Sequence, residues 1–368
     1  MKSTIIFCCN SLWGLVNFRG RVIRQFVEDG HRVVLIAPPD FPAERATSLG
    51  AEFVAWSVSP RGTTPWREVA AITSLIRIYR EIGPHIAFHY TIKAVMYGAI
   101  AARLSGTRFV SVVTGLGYAF LKNNWKQRLA KLLYRATLGR SLQVWFLNRD
   151  DREFFEQAGL VNAMAVQTLP GEGIDVDHFA PAPLPSNQRV VFLMIARLVK
   201  DKGVIEFGEA ARQVRRDHPE TIFRLLGPAY SANAMSVPAS VVQDWEREGA
   251  VEYLGATDDV RQAIRESHCV VLPSYREGMP RVLMEAAAMG RPSITSDVTG
   301  CRDVIISGRT GILCNPKSAE SLAQACRQFL SMSPTEAQEM GEHARQHAHR
   351  EFDDQVVIDI YRSLIASL

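Results

Sequence analysis

The sequence has no run of apolar residues long enough to span a bilayer, no pair of cysteines with Cys-x-x-Cys spacing and no low-complexity tract. The apolar segment at residues 1–10 is too short for a span and has no small-residue cleavage site, which favours a first buried strand in a cytosolic chain. The six cysteines lie mostly in apolar runs, which indicates reduced thiols in the core. We therefore expect neither a structural metal nor a disulfide framework.

Acidic residues are missing from one long stretch of the first half. No Asp or Glu occurs between Glu81 and Asp150, although this stretch contains ten Lys and Arg residues. Residues 1–185 carry 21 Lys and Arg against 14 Asp and Glu, while residues 186–368 carry 21 against 24. A positive field of this kind attracts anionic substrates or surfaces. The sequence therefore predicts an anionic partner for the first half of the chain.

Apolar strand-like runs alternate with helical patterns along both halves of the chain. With 368 residues, of which 47% are hydrophobic, the chain can bury two separate cores. The alternation predicts an α/β fold with mostly parallel sheets covered by helices on both faces. The pattern starts again after a segment rich in Pro and Gly. This predicts two Rossmann-like domains with a ligand cleft between the carboxyl ends of both sheets.

The expected boundaries follow from these patterns. The first domain should cover residues 1–168, a linker residues 169–188, the second domain residues 189–350 and a terminal helix residues 351–368. The first helix is expected near residues 21–29.

The most informative segment runs from Ser274 to Ala286 and follows an apolar strand-like run. Gly278 and Pro280 predict a tight turn that leads into a helix, and the first-turn amides of a helix can hold a phosphate group. Glu277 would lie in the turn and Glu285 in the second turn of the helix. Their separation excludes a shared proton and suits the two ends of an extended ligand, such as a nucleoside diphosphate sugar.

A second charged loop follows the first apolar run of the second half. Arg197 and Lys202 lie five residues apart in this loop, where a strand ends and a helix begins. Ligands of parallel sheets bind at such strand ends, and the two cations could bracket a diphosphate. Cations in loops are usually only solvated. Because Arg197 and Lys202 occur together with the Glu277 and Glu285 motif, a binding role is favoured.

These motifs resemble a known enzyme family. The Glu-Gly-x-Pro turn at residues 277–280, the Glu-Ala-x-Ala segment at 285–288 and the Gly-Arg-Pro-Ser-Ile run at 290–294 are similar to the signature of the retaining glycosyltransferases of family 4. The resemblance implies the GT-B fold, in which the C-terminal helix crosses back to the first domain. It also implies a nucleotide sugar as substrate, with no cofactor and no metal.

The resemblance assigns roles to residues of the second domain. It makes Glu277, Arg197 and Lys202 the catalytic set, with Glu277 near the reacting centre of the donor sugar and the two cations on the departing nucleotide. Glu285 would bind the ribose hydroxyls. The other donor-binding residues that it implies are Gly278, Met279, Arg281, Val282, Tyr253 and Leu254.

The first domain resembles the bacterial branch that extends undecaprenyl-diphosphate-linked sugars by N-acetylgalactosaminyl or hexosyl transfer. Residues 18–19 and 115–117 carry this likeness, together with the Ser-Tyr-x-Glu-Gly run. The domain lacks two features of the commonest family pattern, a Gly-Gly turn after the first strand and a His at a later strand end. The acceptor-side residues that the likeness implies are Asn17, Arg19, His89, Lys93, Thr114 and Gly115.

These expectations combine into one hypothesis. A hexose or N-acetylhexosamine would pass with retention from a nucleotide diphosphate sugar, UDP-linked, to a polyprenyl-diphosphate-linked saccharide of an O-antigen, capsule or N-glycan. We expect the enzyme at the cytoplasmic face of the inner membrane. Asp175 and Asp177 imitate a metal-binding Asp-x-Asp, but they fall in a segment similar to the family's linker, so we expect no metal there.

A basic amphipathic pattern extends from Lys122 to Arg140. Such a helix can lie in an anionic membrane interface. A core helix with a solvated basic face fits the pattern equally well. The apolar positions at helical spacing are Trp125, Leu129, Leu132, Leu133 and Ala136.

Three other functions fit parts of the sequence. A sugar-nucleotide epimerase shares the architecture and the donors, but the Arg-x4-Lys and Glu-x7-Glu combination argues against it. A nicotinamide oxidoreductase would need a Gly-x-Gly-x-x-Gly turn, which neither residues 10–14 nor residues 197–203 supply. A basic non-enzymatic protein that binds nucleic acid would leave the second-domain motifs unused. We expect no nucleic-acid partner.

Overall fold

The structure is a computed structural model that describes residues 2–59, 64–115, 125–186, 189–229 and 235–368, with the backbone alone for residues 125–131. The chain forms two compact units. Unit 1 comprises Met1–Gly173 and Asp354–Leu368, and unit 2 comprises Ile174–Asp353. Each unit contains a parallel sheet with helices packed on it, so the expected α/β fold class is confirmed.

Unit 1 is built on a seven-stranded parallel sheet. Its strands are β1 (Thr4–Cys8), β2 (Arg32–Ala37), β3 (Glu52–Ala55), β4 (Ile86–Tyr90), β5 (Arg108–Val113), β6 (Gln143–Phe146) and β7 (Val166–Thr168). The spatial order is β3-β2-β1-β4-β5-β6-β7. The order reverses between β1 and β4, and open α/β sheets bind ligands at the carboxyl ends of strands beside such a switch point.

The helices of unit 1 connect these strands. In chain order they are α1 (Leu12–Glu28), α2 (Glu44–Thr47), α3 (Pro65–Ile82), α4 (Ile92–Ser105), α5 (Trp125–Leu138) and α6 (Arg149–Gln157). The first helix begins at Leu12 and not near Arg21 as expected. The reason is the N-cap, because the Ser11 hydroxyl accepts a hydrogen bond from the Gly14 amide at 3.2 Å.

Unit 2 has a six-stranded parallel sheet. Its strands are β8 (Val191–Ile195), β9 (Ile222–Leu226), β10 (Glu252–Tyr253), β11 (Cys269–Leu272), β12 (Ser293–Ser296) and β13 (Gly311–Cys314), in the spatial order β10-β9-β8-β11-β12-β13. The helices are α7 (Val204–Asp217), α8 (Ala239–Arg247), α9 (Arg261–Arg265), α10 (Arg281–Ala288), α11 (Ala319–Leu330) and α12 (Pro334–Glu351). Because β8 and β11 are paired, the loops that follow them leave the sheet side by side.

The last helix, α13 (Asp354–Ala366), belongs to unit 1. The ring of Tyr361 packs against Phe88 and Trp145 with centroid distances of 4.8 and 4.6 Å. Its hydroxyl forms a hydrogen bond with the Tyr90 hydroxyl at 2.6 Å. Aromatic pairs of this kind contribute about 0.5–1.5 kcal/mol each beyond the area that they bury. The return of the C-terminal helix to the first domain, which the family resemblance implies, is confirmed.

Arg291 is a fully buried cation in unit 2. Its guanidinium donates hydrogen bonds to carbonyls at the C-terminal ends of α9 and α10, where the helix dipole favours a positive charge. Burial lowers the pKa of Arg291 to about 10. This residue of the family signature therefore has a structural role. Its five acceptors are the carbonyl oxygens of Ala182, Pro183, Ile264, Arg265 and Met289.

Two expectations from composition can be compared with the structure. All six cysteines are buried and free, which agrees with the prediction of core thiols. Within the described ranges, each helix is too short or too polar to cross a membrane.

Candidate active site

The two charged motifs of the second half meet at the carboxyl edge of the unit 2 sheet. Residues 196–203 follow β8 and form the Lys202 loop, and residues 273–280 follow β11 and form the Glu277 loop. The loops approach closely, since a Cβ added at Gly203 would lie 2.1 Å from the Pro273 carbonyl oxygen. Gly203 also has a φ of +77°, so a glycine is required at this contact.

An ion pair joins the two loops. Lys202 Nζ lies 2.5 Å from Glu277 Oε1, and the Ser274 hydroxyl donates to the same oxygen at 2.7 Å. The two charged side chains are 19% and 13% exposed, so water screens their attraction only weakly. Lys202 also precedes the N-terminus of α7, where the helix dipole disfavours a cation, and Glu277 compensates that charge. The structure brings together two predicted catalytic residues and adds Ser274, which the sequence prediction missed.

The third predicted catalytic residue lies in the same loop as Lys202, and two donor-side candidates lie at a different strand of the sheet. Arg197 belongs to the Lys202 loop and its side chain is exposed. Tyr253 and Leu254 lie at the end of β10, which β9 and β8 separate from β11. The Tyr253 hydroxyl donates to the Gly227 carbonyl at 2.9 Å. The roles of these three residues stay predictions.

The start of α10 holds the remaining donor-side candidates. Gly278 and Met279 precede the helix, and Val282 lies in its first turn. Arg281 Nε donates to Glu285 Oε1 at 2.9 Å, so two predicted donor-binding residues bind each other. Burial raises the pKa of Glu285, and the positive charge of Arg281 opposes that shift. A ribose hydroxyl at Glu285 would therefore share the carboxylate with Arg281.

A third loop supports the backbone of Glu277. The Glu277 amide donates to the Thr299 carbonyl at 3.1 Å, and Asp303 Oδ2 accepts from the Gly300 amide at 2.8 Å. A Cβ at Gly300 would lie 2.6 Å from the Glu277 carbonyl oxygen and 2.8 Å from that of Gly278. Gly300 thus lets the loop after β12 lie directly on the Glu277 loop. The sequence prediction treated this segment only as supporting structure.

Three of the six acceptor-side candidates line one cavity in unit 1. Lys93, Thr114 and Gly115 border a cavity of about 240 Å³, together with Asn10 and Thr91. These residues follow β1, β4 and β5, so the cavity lies at the carboxyl edge of the sheet beside its switch point. Asn10 and Thr91 were not predicted.

Thr91 is the strained residue of this cavity. Its φ of 70° and ψ of 157° lie in a region that glycine alone adopts readily. Its Oγ1 is buried and has no hydrogen-bond partner among the described residues. It also caps α4, whose first turn receives no hydrogen bond from the Thr91 side chain. Strained backbone with unsatisfied polar groups clusters at ligand sites, which indicates that the cavity accepts a polar group.

Lys93 is already paired inside unit 1. Its Nζ donates to both carboxylate oxygens of Glu68 at 2.8 Å, and the Tyr97 hydroxyl donates to Glu68 as well. Burial opposes ionisation of Glu68, but the hydrogen bonds from Lys93 and Tyr97 hold its pKa below the usual value. A ligand in the cavity therefore meets a nearly neutral ion pair and not an isolated cation.

His89 does not belong to the acceptor side, and its prediction is wrong. The side chain is fully buried, and its Nε2 lies 2.9 Å from the Tyr79 hydroxyl. It packs against Gly98 of α4, where an added Cβ would lie 2.6 Å from the imidazole. The ring also stacks at 5.3 Å from the ring of Phe109. His89 is a core residue that fits because α4 has a glycine at this contact.

Protonation of His89 is expected to destabilise the fold. Burial lowers the pKa of His89 to about 3, whereas the unfolded chain has the ordinary value near 6.5. As the pH falls below about 6.5, the unfolded chain binds the proton first and the free energy of unfolding drops by about 1.4 kcal/mol per pH unit. Urea unfolding between about pH 7.5 and about pH 5 should show a shallower loss for His89→Gln than for the wild type. Equal slopes would contradict this explanation.

Arg19 is paired in the interior of unit 1, and its acceptor-side role stays a prediction. Its guanidinium donates to the Gly14 carbonyl at 3.3 Å, forms an ion pair with Glu172 and lies 4.2 Å from the ring centroid of Tyr90. Asn17 lies on the exposed side of α1, and its amide donates to the Trp13 carbonyl at 2.9 Å. A ligand contact of Asn17 stays a prediction.

The predicted basic helix is only partly described. Residues 116–117 of the acceptor-side likeness and residues 122–124 of the helix lie outside the described residues. In the described part of α5, Tyr134 and Leu138 are buried, whereas Leu132 and Leu133 are 65% and 43% exposed. The predicted apolar positions Leu132 and Leu133 therefore face away from the core.

Asp175 belongs to the Asp-x-Asp segment that imitates a metal-binding motif. Its carboxylate accepts a hydrogen bond from the His178 amide at 2.8 Å and so caps a turn. In the part of the chain that the structure describes, no group of three or more His, Cys, Asp or Glu side chains is arranged to hold a metal ion.

Comparison with known proteins agrees with this geometry. The model of the family described as glycosyl transferases group 1 matches residues 177–347. The model of the glycosyl transferase 4-like domain matches residues 14–171. The two matches together span most of the chain.

Two curated relatives are similar over most of their length. The chain is 25% identical over 327 residues to the N,N'-diacetylbacillosaminyl-diphospho-undecaprenol alpha-1,3-N-acetylgalactosaminyltransferase of Campylobacter jejuni, covering 84% of this chain and 85% of that protein. It is 26% identical over 275 residues to the UDP-Gal:alpha-D-GlcNAc-diphosphoundecaprenol alpha-1,3-galactosyltransferase of Escherichia coli, covering 70% of each.

Solved structures share the fold. Anabaena Alr3699/HepE in complex with UDP and glucose superposes with a TM-score of 0.82 at 18% identity and covers 100% of both chains. A glycosyltransferase from Rickettsia africae has a TM-score of 0.79 at 16% identity, with 99% of this chain and 97% of that chain covered. The expected GT-B architecture is thereby confirmed.

Proposed function

The chain belongs to the group 1 glycosyltransferases, with a glycosyltransferase 4-like domain in its first half, and from this premise we propose its donor, acceptor and stereochemistry. It transfers a hexose or N-acetylhexosamine, with retention at the anomeric carbon, from a UDP-linked sugar to a polyprenyl-diphosphate-linked saccharide. The product enters a bacterial surface glycan such as O-antigen, capsule or N-glycan. The observation that carries the proposal is the Lys202–Glu277 pair between two strand-end loops.

The proposed chemistry rests on stabilisation of the leaving group. As the glycosidic bond of the donor breaks, negative charge builds up on the departing nucleotide diphosphate. Lys202 and the first-turn amides of α10 meet that charge, and Arg197 reaches it from the same loop as Lys202. One preorganised donor of this kind is worth about 3–4 kcal/mol of the barrier. Because the protein's own groups supply the positive charge, we propose a reaction without metal or cofactor.

Glu277 changes its partner in this scheme. Without a donor its carboxylate holds Lys202, and Ser274 fixes one of its oxygens. When the donor diphosphate engages Lys202, the carboxylate becomes available to the donor sugar, the role that the family resemblance implies for it. Lys202 is then paired at every stage, first with Glu277 and then with the diphosphate, which avoids the cost of an unpaired cation. The Glu277 carboxylate keeps the Ser274 hydroxyl and meets the positive charge that develops on the sugar as the glycosidic bond breaks.

The cavity of unit 1 is the proposed acceptor site. Thr91 and Thr114 supply hydroxyls there, and Asn10 supplies an amide. Because Glu68 neutralises Lys93, a sugar hydroxyl suits the cavity better than a diphosphate. We therefore propose that the cavity binds the saccharide part of the lipid-linked acceptor.

Helix α5 supports a place at the cytoplasmic face of the inner membrane. It exposes Leu132 and Leu133 next to Arg135, and Arg140 follows its end. Exposed leucines beside cations suit an anionic interface, where the apolar groups enter the headgroup boundary. A core helix with a solvated basic face explains the burial of Tyr134 but not the exposed leucines.

Mass spectrometry of lipid products tests this function. The full chain is incubated with a panel of UDP- and GDP-sugars and with undecaprenyl-diphosphate-linked mono- and disaccharides. Addition of one sugar to one acceptor supports the proposal and identifies both substrates. Both matching family models are glycosyltransferase models, which gives no support to the epimerase alternative. An epimerised donor without lipid product would overturn the proposed transfer.

Gly300→Ala is expected to lower kcat for transfer about 10- to 100-fold, because the Glu277 backbone must move to admit the methyl group. Gly308→Ala is the matched control. Gly308 also has a positive φ, +76°, but nothing lies within 4 Å of an added Cβ. Both variants carry a similar backbone penalty of about 1 kcal/mol, so kinetics on the folded fraction isolate the effect on the site. Equal kcat values in the two variants would count against this role of Gly300.

A further inference from the structure

Tyr275 connects the Glu277 loop to the Lys202 loop and to helix α7, which directly continues that loop. Its amide donates to the Asp201 carbonyl at 2.9 Å, and its hydroxyl donates to Glu206 Oε1 at 2.7 Å. Asp201 directly precedes Lys202 in the chain, and Tyr275 lies two residues before Glu277. The hydrogen bonds of Tyr275 therefore join the segments that carry the two charged residues of the site.

The partners of Tyr275 hold it in one position. Glu206 lies in the first turn of α7, where the helix dipole stabilises a carboxylate. Its Oε2 is buried with no hydrogen-bond partner in the described ranges, so the tyrosine hydroxyl is important for satisfying this group. Lys317 Nζ lies 5.0 Å from the centroid of the tyrosine ring, and Lys317 keeps a φ of 59° there. The ring is thus fixed by a carboxylate at its hydroxyl and a cation near its face.

The sequence prediction gave no role to Tyr275, Glu206 or Lys317, and the proposed chemistry uses none of them. Glu277 and Lys202 can bind one donor only if their loops keep a fixed separation, and the ion pair itself must open when the donor enters. Connections that do not open are then needed to preserve the geometry, and the backbone bond from the Tyr275 amide to the Asp201 carbonyl is one of them. The hydrogen bond between Tyr275 and Glu206 is another such connection.

We propose that Tyr275 and Glu206 are positioning residues that hold the Glu277 loop on the Lys202 loop during transfer. Neither residue touches the reacting atoms, and both act through Glu277. This inference rests on the proposed function, because it concerns the step in which the donor diphosphate takes Lys202 from Glu277.

Kinetics of four variants of the full chain test the inference. Tyr275→Phe removes only the hydroxyl, and Glu206→Leu removes its acceptor. Both should lower kcat about 10-fold and change the donor KM by less than about twofold, because the donor contacts remain. Glu206→Gln keeps an acceptor oxygen and should retain a kcat close to that of the wild type. The double variant Tyr275→Phe/Glu206→Leu should be no slower than the single variants, since both remove one bond.

A matched control separates positioning from general loss of structure. Tyr79→Phe removes a buried hydroxyl that is bonded to His89 in unit 1, and it should leave kcat unchanged. Wild-type kcat in both Tyr275→Phe and Glu206→Leu would overturn the inference. So would a loss of kcat in Glu206→Gln as large as that in Glu206→Leu.

Hydrogen exchange gives a readout that needs no sugar transfer. Peptides that contain residues 274–278 should exchange about 10-fold faster in Tyr275→Phe and Glu206→Leu than in the wild type or in Glu206→Gln. Unchanged exchange in both would overturn the inference even if kcat falls. If exchange responds as expected but the wild type transfers no sugar to any acceptor, the proposed function fails and the connection between the loops stands.

Discussion

Lys202→Met is expected to lower kcat for sugar transfer about 100- to 1000-fold. The substitution removes the cation that meets the charge of the departing diphosphate. It also leaves the Glu277 carboxylate, which is 13% exposed, without its ion-pair partner. Methionine keeps most of the length and the apolar stem of lysine, so packing changes little. Steady-state kinetics at saturating acceptor should show that kcat and kcat/KM fall together, as expected for an interaction made in the transition state.

Three further variants define the cause of that loss. Lys200→Met removes an exposed lysine of the same loop and should leave kcat within about twofold of the wild type. Glu277→Gln should be strongly impaired, and the Lys202→Met/Glu277→Gln double variant should be little slower than the slower single variant. Near wild-type transfer by Lys202→Met would rule out the leaving-group role of Lys202. Unchanged kcat in both single variants would place the transfer chemistry on other residues.

Arg291→Ala is expected to lower the free energy of unfolding by about 3–5 kcal/mol. The substitution empties a large buried volume and removes the donors of five carbonyl oxygens at once. Urea unfolding followed by circular dichroism measures the change. Arg291→Lys should fall between the wild type and Arg291→Ala, because an ammonium keeps the charge but cannot span the same set of acceptors.

Arg265→Ala is the matched control for this prediction. Arg265 lies on the same short helix α9 as two of the acceptors, but its side chain is exposed. Its replacement should change the free energy of unfolding by no more than about 0.5 kcal/mol. A similar small effect of Arg291→Ala would contradict the structural role of Arg291.

The fold could be predicted where long apolar patterns dominate. The mostly apolar runs at Ile222–Leu226 and Cys269–Leu272 predict strands, and β9 and β11 begin and end at these residues, because such runs are typical of parallel strands buried on both faces. Strands β6, β7 and β13 were not predicted, since each is short and contains polar residues or glycine. Their pairing depends on the neighbouring strand, which a local pattern does not contain. The start of α1 was misplaced because the cap at Ser11 precedes a mixed sequence.

The site could be predicted only in part, because the order of the strands determines some of its contacts and the packing of distant loops determines the others. Lys202 and Glu277 follow strands, and topology alone brings the ends of paired parallel strands together. The contacts of Gly300 and Tyr275 depend on how distant loops pack, so no spacing in the sequence signals them. His89 also lies near a strand end, which is why the sequence suggested a ligand contact. Its imidazole faces the core instead, because Gly98 of α4 leaves room for the ring there.

Proton NMR of the purified lipid-linked product is the measurement that tests the central claim most directly. The product is made from the donor and acceptor that the panel identifies, with the wild-type chain. We predict one added sugar whose anomeric coupling constant shows the same configuration as in the nucleotide donor. An added sugar of inverted configuration would contradict the proposed retaining mechanism. Release of free sugar with an unchanged acceptor would contradict the proposed transfer itself.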